Sequence, residues 1–226
     1  MEKWVDFSHT FDSNMPVPDW PGIERQEFTL KSFYVELNGL WQNYLSFNIH
    51  SGTHIDAPSH FDNRLISSES IMYEDLIGDC FILPLNKSSL ESIEVEELNR
   101  HKSKLKGKSM VFISTLWEEK WGTKQYEQEY PFLTEAAGNF LLDLGIKVIG
   151  IDTPGPDAPL RSPFRKGSPL HKILLTGGCY IIENLYNLKA ARDMVVSVFA
   201  LPLKIKGATG SPTRVIGKIG VSAHEE

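Results

Sequence analysis

With 226 residues, 41% of them hydrophobic, the chain can bury a full core, and one domain over residues 1–226 is the expected organisation. Its net charge of −6, without a basic run, argues against a nucleic-acid partner, and no stretch is long and apolar enough to span a membrane. Only two cysteines occur, Cys80 and Cys179, far apart and without metal-ligand spacing; with a charged start, Met1-Glu2-Lys3, that no signal-peptide core follows, they read as buried thiols of a cytoplasmic protein.

In chain order, Trp4 to Ser8 predicts a short opening strand. The segment from Phe11 to Ile23 holds Pro16, Pro18 and Pro21 with Gly22, so it predicts a stiff loop. Trp20 within it is either a substrate-binding cover over a pocket or a packing anchor. Residues 26–37 and 43–49 alternate as strands do, and the second runs into the most informative stretch of the chain.

That stretch is Phe47 to Phe61. Three of the seven histidines, His50, His54 and His60, fall within eleven residues, with Asp56 among them. On a strand, His50, His54 and Asp56 would project to one side, with Gly52 keeping that side open and Phe47, Ile49, Ser51, Thr53 and Ile55 facing a core. A helix would turn Asp56 away from the two histidines, and Pro58 argues against continuing one. Two imidazoles and a carboxylate on one face suit a divalent ion such as Zn²⁺ or Mn²⁺ and leave room for a reacting water. The alternative is a polar edge strand whose histidines meet solvent. As ligands the histidines must be neutral, so metal affinity is expected to fall below about pH 6.

Residues 79–85 and 109–115 are apolar runs typical of buried strands. Between them, Ile93 to Leu105 predicts one amphipathic helix with acidic residues leading, lysines trailing and Gly107 beyond. A second helix is predicted from Glu135 to Leu144, capped by Thr134 and ended by Gly145, with strand 146–152 following. Pro154 to Pro169 contains five prolines in sixteen residues and predicts either a surface connector or an active-site wall, the latter favoured. Strand pattern returns at 178–183, 194–205 and 213–221, so the chain predicts a β-rich α/β domain with few helices, not a doubly wound one. His171 opens one apolar run and Glu183 ends another; a buried glutamate needs a partner, so Glu183 is a metal ligand, salt-bridged or at a strand's wet end, and His171 a ligand, a cap or a surface residue.

The string His50-Ser51-Gly52-Thr53-His54-Ile55-Asp56-Ala57-Pro58-Ser59-His60-Phe61 resembles the HxGTHxDxPxHF signature of the cyclase-type metal-dependent hydrolases, a family that includes kynurenine formamidases (arylformamidases) and isatin hydrolases. Further blocks resemble it in order: Asp6 to His9, Trp20-Pro21-Gly22, Tyr130 to Ala137, Ile149 to Pro154, and His171 to Glu183-Asn184-Leu185. The resemblance implies a swivelling β/β/α fold, assembly as a homodimer or homotetramer, and two ions per subunit. His50, His54 and Asp56 would hold one ion, and Asp56, His171 and Glu183 the other, with Asp56 bridging. His60 would be the acid/base, since an imidazole with a pKa of ~6.5 accepts and donates a proton near neutrality.

The chain departs from the pattern in the substrate pocket. Ser114-Thr115-Leu116-Trp117 stands where relatives often carry Arg-Thr-Gly before a tryptophan, so no arginine is expected there for a substrate anion. Gly155 stands where serine is common. The expected activity is hydrolysis of a small-molecule amide, an aryl formamide such as N-formylkynurenine first, with isatin-like lactams or other cyclic substrates as the alternative. A non-catalytic metal- or ligand-binding member is the competing class.

Overall fold

The computed structural model describes residues 2–220. Its elements, in order, are β1 (Lys3–Asp6), β2 (Thr29–Val35), β3 (Leu40–Ser46), β4 (His54–Asp56), β5 (Ile77–Pro84), β6 (Ser92–Ile93), α1 (Val95–Arg100), α2 (Lys102–Leu105), β7 (Met110–Ser114), α3 (Lys124–Gln128), β8 (Phe132–Leu133), α4 (Glu135–Asp143), β9 (Val148–Ile151), α5 (Pro169–Thr176), β10 (Tyr180–Glu183), β11 (Val195–Pro202) and β12 (Gly210–Ile219).

The period-2 alternation of the apolar strands decides the architecture. Phe81 and Leu83 of β5, Val111 and Ile113 of β7, Ile149 and Ile151 of β9, and Ile181 of β10 pack with Leu98, Leu105, Leu141 and Leu174 of the helices. The intervening residues, Cys80, Ile82, Met110, Phe112, Val148 and Ile182, turn to the opposite face and meet Phe7, Ile55, Val196, Val198 and Val215. Strands apolar on both faces belong in the middle of a sheet covered on both sides.

β5, β7, β9 and β10 run parallel, so each connection must cross over, and α1 with α2, α4, and α5 lie in those crossovers. The remaining pairings of this sheet are antiparallel, and β4 closes it by pairing with β10 on one side and β12 on the other. Strands β12, β11, β5, β7, β9, β10 and β4 thereby form a closed seven-stranded barrel, with β1 added along β12. This is the β-rich α/β architecture expected from the sequence; the closure was not foreseen, because it depends on a three-residue strand finding two distant partners.

Four details differ from expectation. In place of one helix over 93–105, residues 95–100 and 102–105 form two short helices, α1 and α2, interrupted at His101, whose backbone (φ −105°, ψ 9°) leaves the helical region, and Ile93 lies in β6. Residues 169–176, unassigned from sequence, form α5, and 124–128 form α3. Leu116 occupies the left-handed region (φ 69°), where the family pattern has glycine and no side-chain penalty arises. The last strand starts at Gly210; Val221, its expected end, lies outside the described residues. The strands expected in 26–37 and 43–49 form the β2–β3 hairpin, which pairs with neither the barrel nor the β6–β8 pair.

Candidate metal centre

β4 carries the centre. Its closing position sets His54 directly opposite Glu183 of β10, and Asp56 opposite Ile181, so two strand pairings bring the carboxylates and imidazole together. His54 and Asp56 share a strand face as expected, but His50 does not lie on that strand. It sits on a turn in which the Asn48 side chain accepts from the His50 N–H (2.9 Å) and Gly52 adopts φ +62°. Gly52 is required there rather than merely permissive: a Cβ would lie 2.4 Å from the Phe11 ring. His171 projects from the first turn of α5, and His60 ends a short 3₁₀ turn, Pro58–His60, just past β4.

The five residues expected to bind metal converge. Asp56 Oδ1 lies 2.7 Å from His50 Nδ1 and 3.4 Å from His54 Nε2, while its Oδ2 lies 3.4 Å from His171 Nε2. Glu183 Oε2 is 3.3 Å from His54 Nε2, and Oε1 is 3.2 Å from His171 Nε2. Two compact donor groups result, His50 with Asp56 and His60, and His54 with Asp56 and Glu183; within each, the ligand atoms lie within 4.8 Å of one another. His60, expected as the acid/base and not as a ligand, therefore falls within ligand reach, stacked on His50 (3.9 Å between rings).

The donors fit a divalent ion. His54 Nε2, Asp56 Oδ2 and Glu183 Oε1 are buried and make no hydrogen bond, although His54 Nε2 lies 3.4 and 3.3 Å from the other oxygens of the two carboxylates, and Asp56 Oδ2 and Glu183 Oε1 lie 3.4 and 3.2 Å from His171 Nε2. Buried polar atoms are ordinarily satisfied, and orphaned ligand atoms that converge are what a cation would satisfy. The space is kept by Gly155, where a Cβ would lie 2.9 Å from Glu183 Oε1.

Electrostatics gives the same answer. Burial alone would lower the pKa of His54, but Asp56 and Glu183 outweigh it and push the value up to about 10. His171 is likewise held well above the ordinary value, burial being overcome by Asp157, Asp56 and Glu183. Asp56 is held well below the carboxylate range: burial opposes this, and the charges of His60 and His50, with the adjacent His171 ring and the bond to His50, prevail. His60 goes the other way, to about 4, because burial dominates and Asp56 compensates only in part. Without metal, His54 and His171 are held protonated beside the two carboxylates, while burial holds His60 neutral.

Sequence reasoning missed the residues behind the ligands. Asp157 accepts from His171 Nδ1 (2.5 Å) and from the backbone N–H groups of Leu170 (2.8 Å) and His171 (3.2 Å), so it caps α5 and aims His171 Nε2 at the cluster. His54 Nδ1 donates to Gly52 O (2.9 Å), which commits Nε2 to the centre, and Thr209 Oγ1 lies 2.9 Å from His50 Nε2. Asn184 ties the turn to β10 by donating to Gly52 O (2.9 Å) and accepting from Tyr126 Oη (2.8 Å). A carboxylate following Gly-Pro in a proline-rich loop ahead of a histidine was the one available signal for Asp157. Asp157→Asn should weaken metal affinity by roughly 10- to 100-fold with little change in far-UV circular dichroism. Competition with a metallochromic chelator measures this, and unchanged affinity would make Asp157 a helix cap only.

The cluster opens into a pocket of about 930 Å³, its mouth included, walled by Trp20, Tyr130, Pro154, Gly155, Arg161 and Arg165. Trp20 faces the pocket, and residues of the proline-rich segment 154–169 form one side of it. Arginine is not absent from this pocket, as the sequence at 114–117 had suggested; it arrives from another loop. Thr115 serves instead to bond Asp152 through its N–H (2.9 Å) and hydroxyl (2.6 Å), joining the ends of β7 and β9.

Known proteins resemble this chain in both sequence and fold. A family model described as a putative cyclase matches residues 5–158. A kynurenine formamidase of Bacillus cereus is 31% identical over 214 residues, covering 95% of this chain and 96% of that protein. Isatin hydrolase A from Labrenzia aggregata, solved with benzyl benzoate bound, superposes with a TM-score of 0.87 at 26% identity, covering 96% of this chain and 94% of that one. A predicted metal-dependent hydrolase from Bacillus stearothermophilus superposes with a TM-score of 0.78 at 25% identity, covering 96% and 98%.

Proposed function

This chain belongs to the cyclase family, a metal-dependent hydrolase of carbon–nitrogen bonds other than peptide bonds, and we propose that its substrate is an aryl formamide such as N-formylkynurenine. The observation that carries the metal-dependent chemistry is the convergence of unsatisfied His54 Nε2, Asp56 Oδ2 and Glu183 Oε1 beneath the pocket. Likeness to the kynurenine formamidase supports the formamide. Likeness to isatin hydrolase A supports a second reading, opening of an isatin-like lactam.

We assign His50, His54, Asp56, His171 and Glu183 as the residues that would hold two ions per subunit, Zn²⁺ or Mn²⁺, with Asp56 serving both. Bound there, such ions make water nucleophilic near neutral pH and polarise a carbonyl oxygen. The chain supplies the rest. Asp157 and Gly52 O hold two imidazoles in the tautomers that face the cluster. Trp20 covers the aryl portion of the substrate. His60, neutral and beside His50, takes the proton from the attacking water and returns it to the leaving nitrogen.

Assembly as a homodimer or homotetramer is supported by the β2–β3 hairpin, on which Leu30, Phe33, Tyr34, Leu40, Trp41, Tyr44 and Leu45 are all exposed. A lone two-stranded ribbon is marginal in water, and so large an apolar display marks a contact surface. The free, buried thiols of Cys80 and Cys179 suit a reducing, cytoplasmic setting. Among the described residues no helix is long and apolar enough to cross a membrane.

Purified protein should contain divalent metal, hydrolyse formyl anilides, lose that activity to a chelator and regain it with Zn²⁺ or Mn²⁺. Binding must displace the protons on His54 and His171, so metal uptake should release protons and affinity should fall as pH falls. Because the value for His54 is raised to about 10 in the metal-free protein, that fall begins above neutrality and not only below the ~6.5 of a free imidazole. Calorimetry in buffers of different ionisation enthalpy counts the protons, and light scattering on the same sample gives the assembly's mass. Turnover by metal-free protein would overturn the metal assignment, faster turnover of isatins would favour the lactam, and a metal-loaded protein inert to every amide would be a binding member of the family.

A further inference from the structure

We infer that Arg165 is an anion anchor in the pocket wall, so that the preferred substrate carries a negatively charged group on its aryl portion. The inference deepens the hydrolase reading above and rests on it for the word substrate, though not for the anion site itself.

The pocket wall carries four charged side chains besides those of the metal cluster: Asp19, Glu127, Arg161 and Arg165. Three of them have opposite charges at hand. Arg161 donates to Asp19 Oδ2 at 2.8 Å, in a pair well exposed to solvent, and Glu127 lies 3.9 Å from Arg25. Arg165 alone has no carboxylate within 4.0 Å among the described residues.

Arg165 is nonetheless fixed. Its Nη1 donates to Ala158 O and its Nη2 to Ser168 Oγ, both at 2.6 Å, and its guanidinium carbon lies 5.7 Å from the centroid of the Trp20 ring. These partners are neutral, so they orient the group without cancelling its charge. A guanidinium has five N–H donors, and two are used here, which leaves three for a ligand. Its field reaches into the pocket: burial pushes the Tyr130 phenol up, and the charge of Arg165 is the one influence that acts against this. A half-buried, immobilised cation with spare donors, beside an indole face, is built for an aromatic ring bearing an anion.

This also bears on the missing arginine at 114–117. The proline-rich loop carries Arg165 into the wall, whereas Ser114 to Trp117 do not line the pocket. The side chain that recognises an anion is thereby carried by the loop that also caps α5 through Asp157, so loop position and ligand position are coupled.

The test uses metal-loaded protein and two formanilides that differ in charge, one with a ring sulfonate and one with the neutral methyl sulfone. A sulfonate is a weak ligand for metal and a good partner for guanidinium, so it probes Arg165 rather than the ions. Wild type should prefer the sulfonate in kcat/KM by about 10- to 100-fold, the difference lying in KM, because a hydrogen-bonded ion pair adds to ground-state and transition-state binding alike. Arg165→Gln should abolish the preference, and Arg165→Lys, which keeps the charge and loses the fork, should retain part of it. Persistence of the preference in Arg165→Gln, or equal loss on both substrates, would overturn the assignment, the latter by showing that the residue only holds the loop. If wild type hydrolyses neither formanilide, the hydrolase reading fails separately. Calorimetric affinities for benzenesulfonate and methyl phenyl sulfone, which need no turnover, then decide the anchor by the same criterion.

Discussion

Asp56→Asn should empty the centre. Both oxygens of this carboxylate are engaged, Oδ1 toward His50 and His54 and Oδ2 toward His171, in a position only 1% exposed. An asparagine keeps the shape, but it has one acceptor oxygen and no charge, and its amide would present N–H donors to atoms that should themselves coordinate. The loss is shared by every donor around it, so neither half of the site survives intact. Elemental analysis should find less than one metal equivalent per chain, and kcat should fall by roughly 10³-fold or more, since both the electrostatic stabilisation and the activated water depend on the ions. Glu183→Gln, which alters the group facing His54 and His171 only, should lose metal less completely. The variants also differ in a second respect. In metal-free protein Asp56 helps hold His54 and His171 protonated, so in Asp56→Asn both should titrate closer to the ordinary imidazole range, a shift that NMR of the ring protons would register. Full metal content in Asp56→Asn would show that the ions do not share this carboxylate.

What could be read in the sequence, and what could not, follows from how far each interaction reaches along the chain. The pairing of His54 with Asp56 was legible because strand alternation acts over two residues. The same rule, extended four residues back to His50, failed because it has no knowledge of backbone sign. Gly52 turns the chain at φ +62°, and the Phe11 ring, from a loop some forty residues earlier, packs where a Cβ would stand. Helix α5 went unseen for a related reason. Its buried positions, Leu170, His171, Leu174 and Leu175, do follow a helical stripe, but Pro169 at its first turn was read as the end of a proline-rich loop instead of as a helix start. Glu183 was recognisable as a buried carboxylate in want of a partner, whereas the identity of the partner, His54 directly across the β4–β10 pair, required the barrel to close. Asp157 and Arg165 lay beyond reach altogether, because the folded path of the loop between β9 and α5 alone determines what they touch.

His60→Ala should keep most of the metal and lose most of the turnover, by about 10²- to 10⁴-fold in kcat, the usual contribution of a positioned acid/base. Two features of the structure compete over this residue. His60 completes a compact donor group with His50 and Asp56, which would make it a ligand. Yet it is the imidazole of the cluster that burial drives down to about 4, while its neighbours His54 and His171 are driven up by the carboxylates. His54 and His171 each face both carboxylates, whereas His60 is grouped with only one of them, Asp56. It lines the pocket, where a substrate amide would lie, and it stacks on His50 instead of bonding to Asp56. A group so placed is better suited to carrying a proton between the attacking water and the leaving nitrogen. The leaving group then separates the roles. An aniline bearing electron-withdrawing substituents departs with less help from an acid, so the penalty of His60→Ala should shrink steadily across a series of formanilides as the aniline becomes less basic. Removing a ligand would instead lower the rates of the whole series together and lower the metal content with them. Metal analysis and kcat for that series, wild type beside variant, distinguish the two: a variant that sheds metal makes His60 a ligand, and one with undiminished kcat leaves it no part in the reaction.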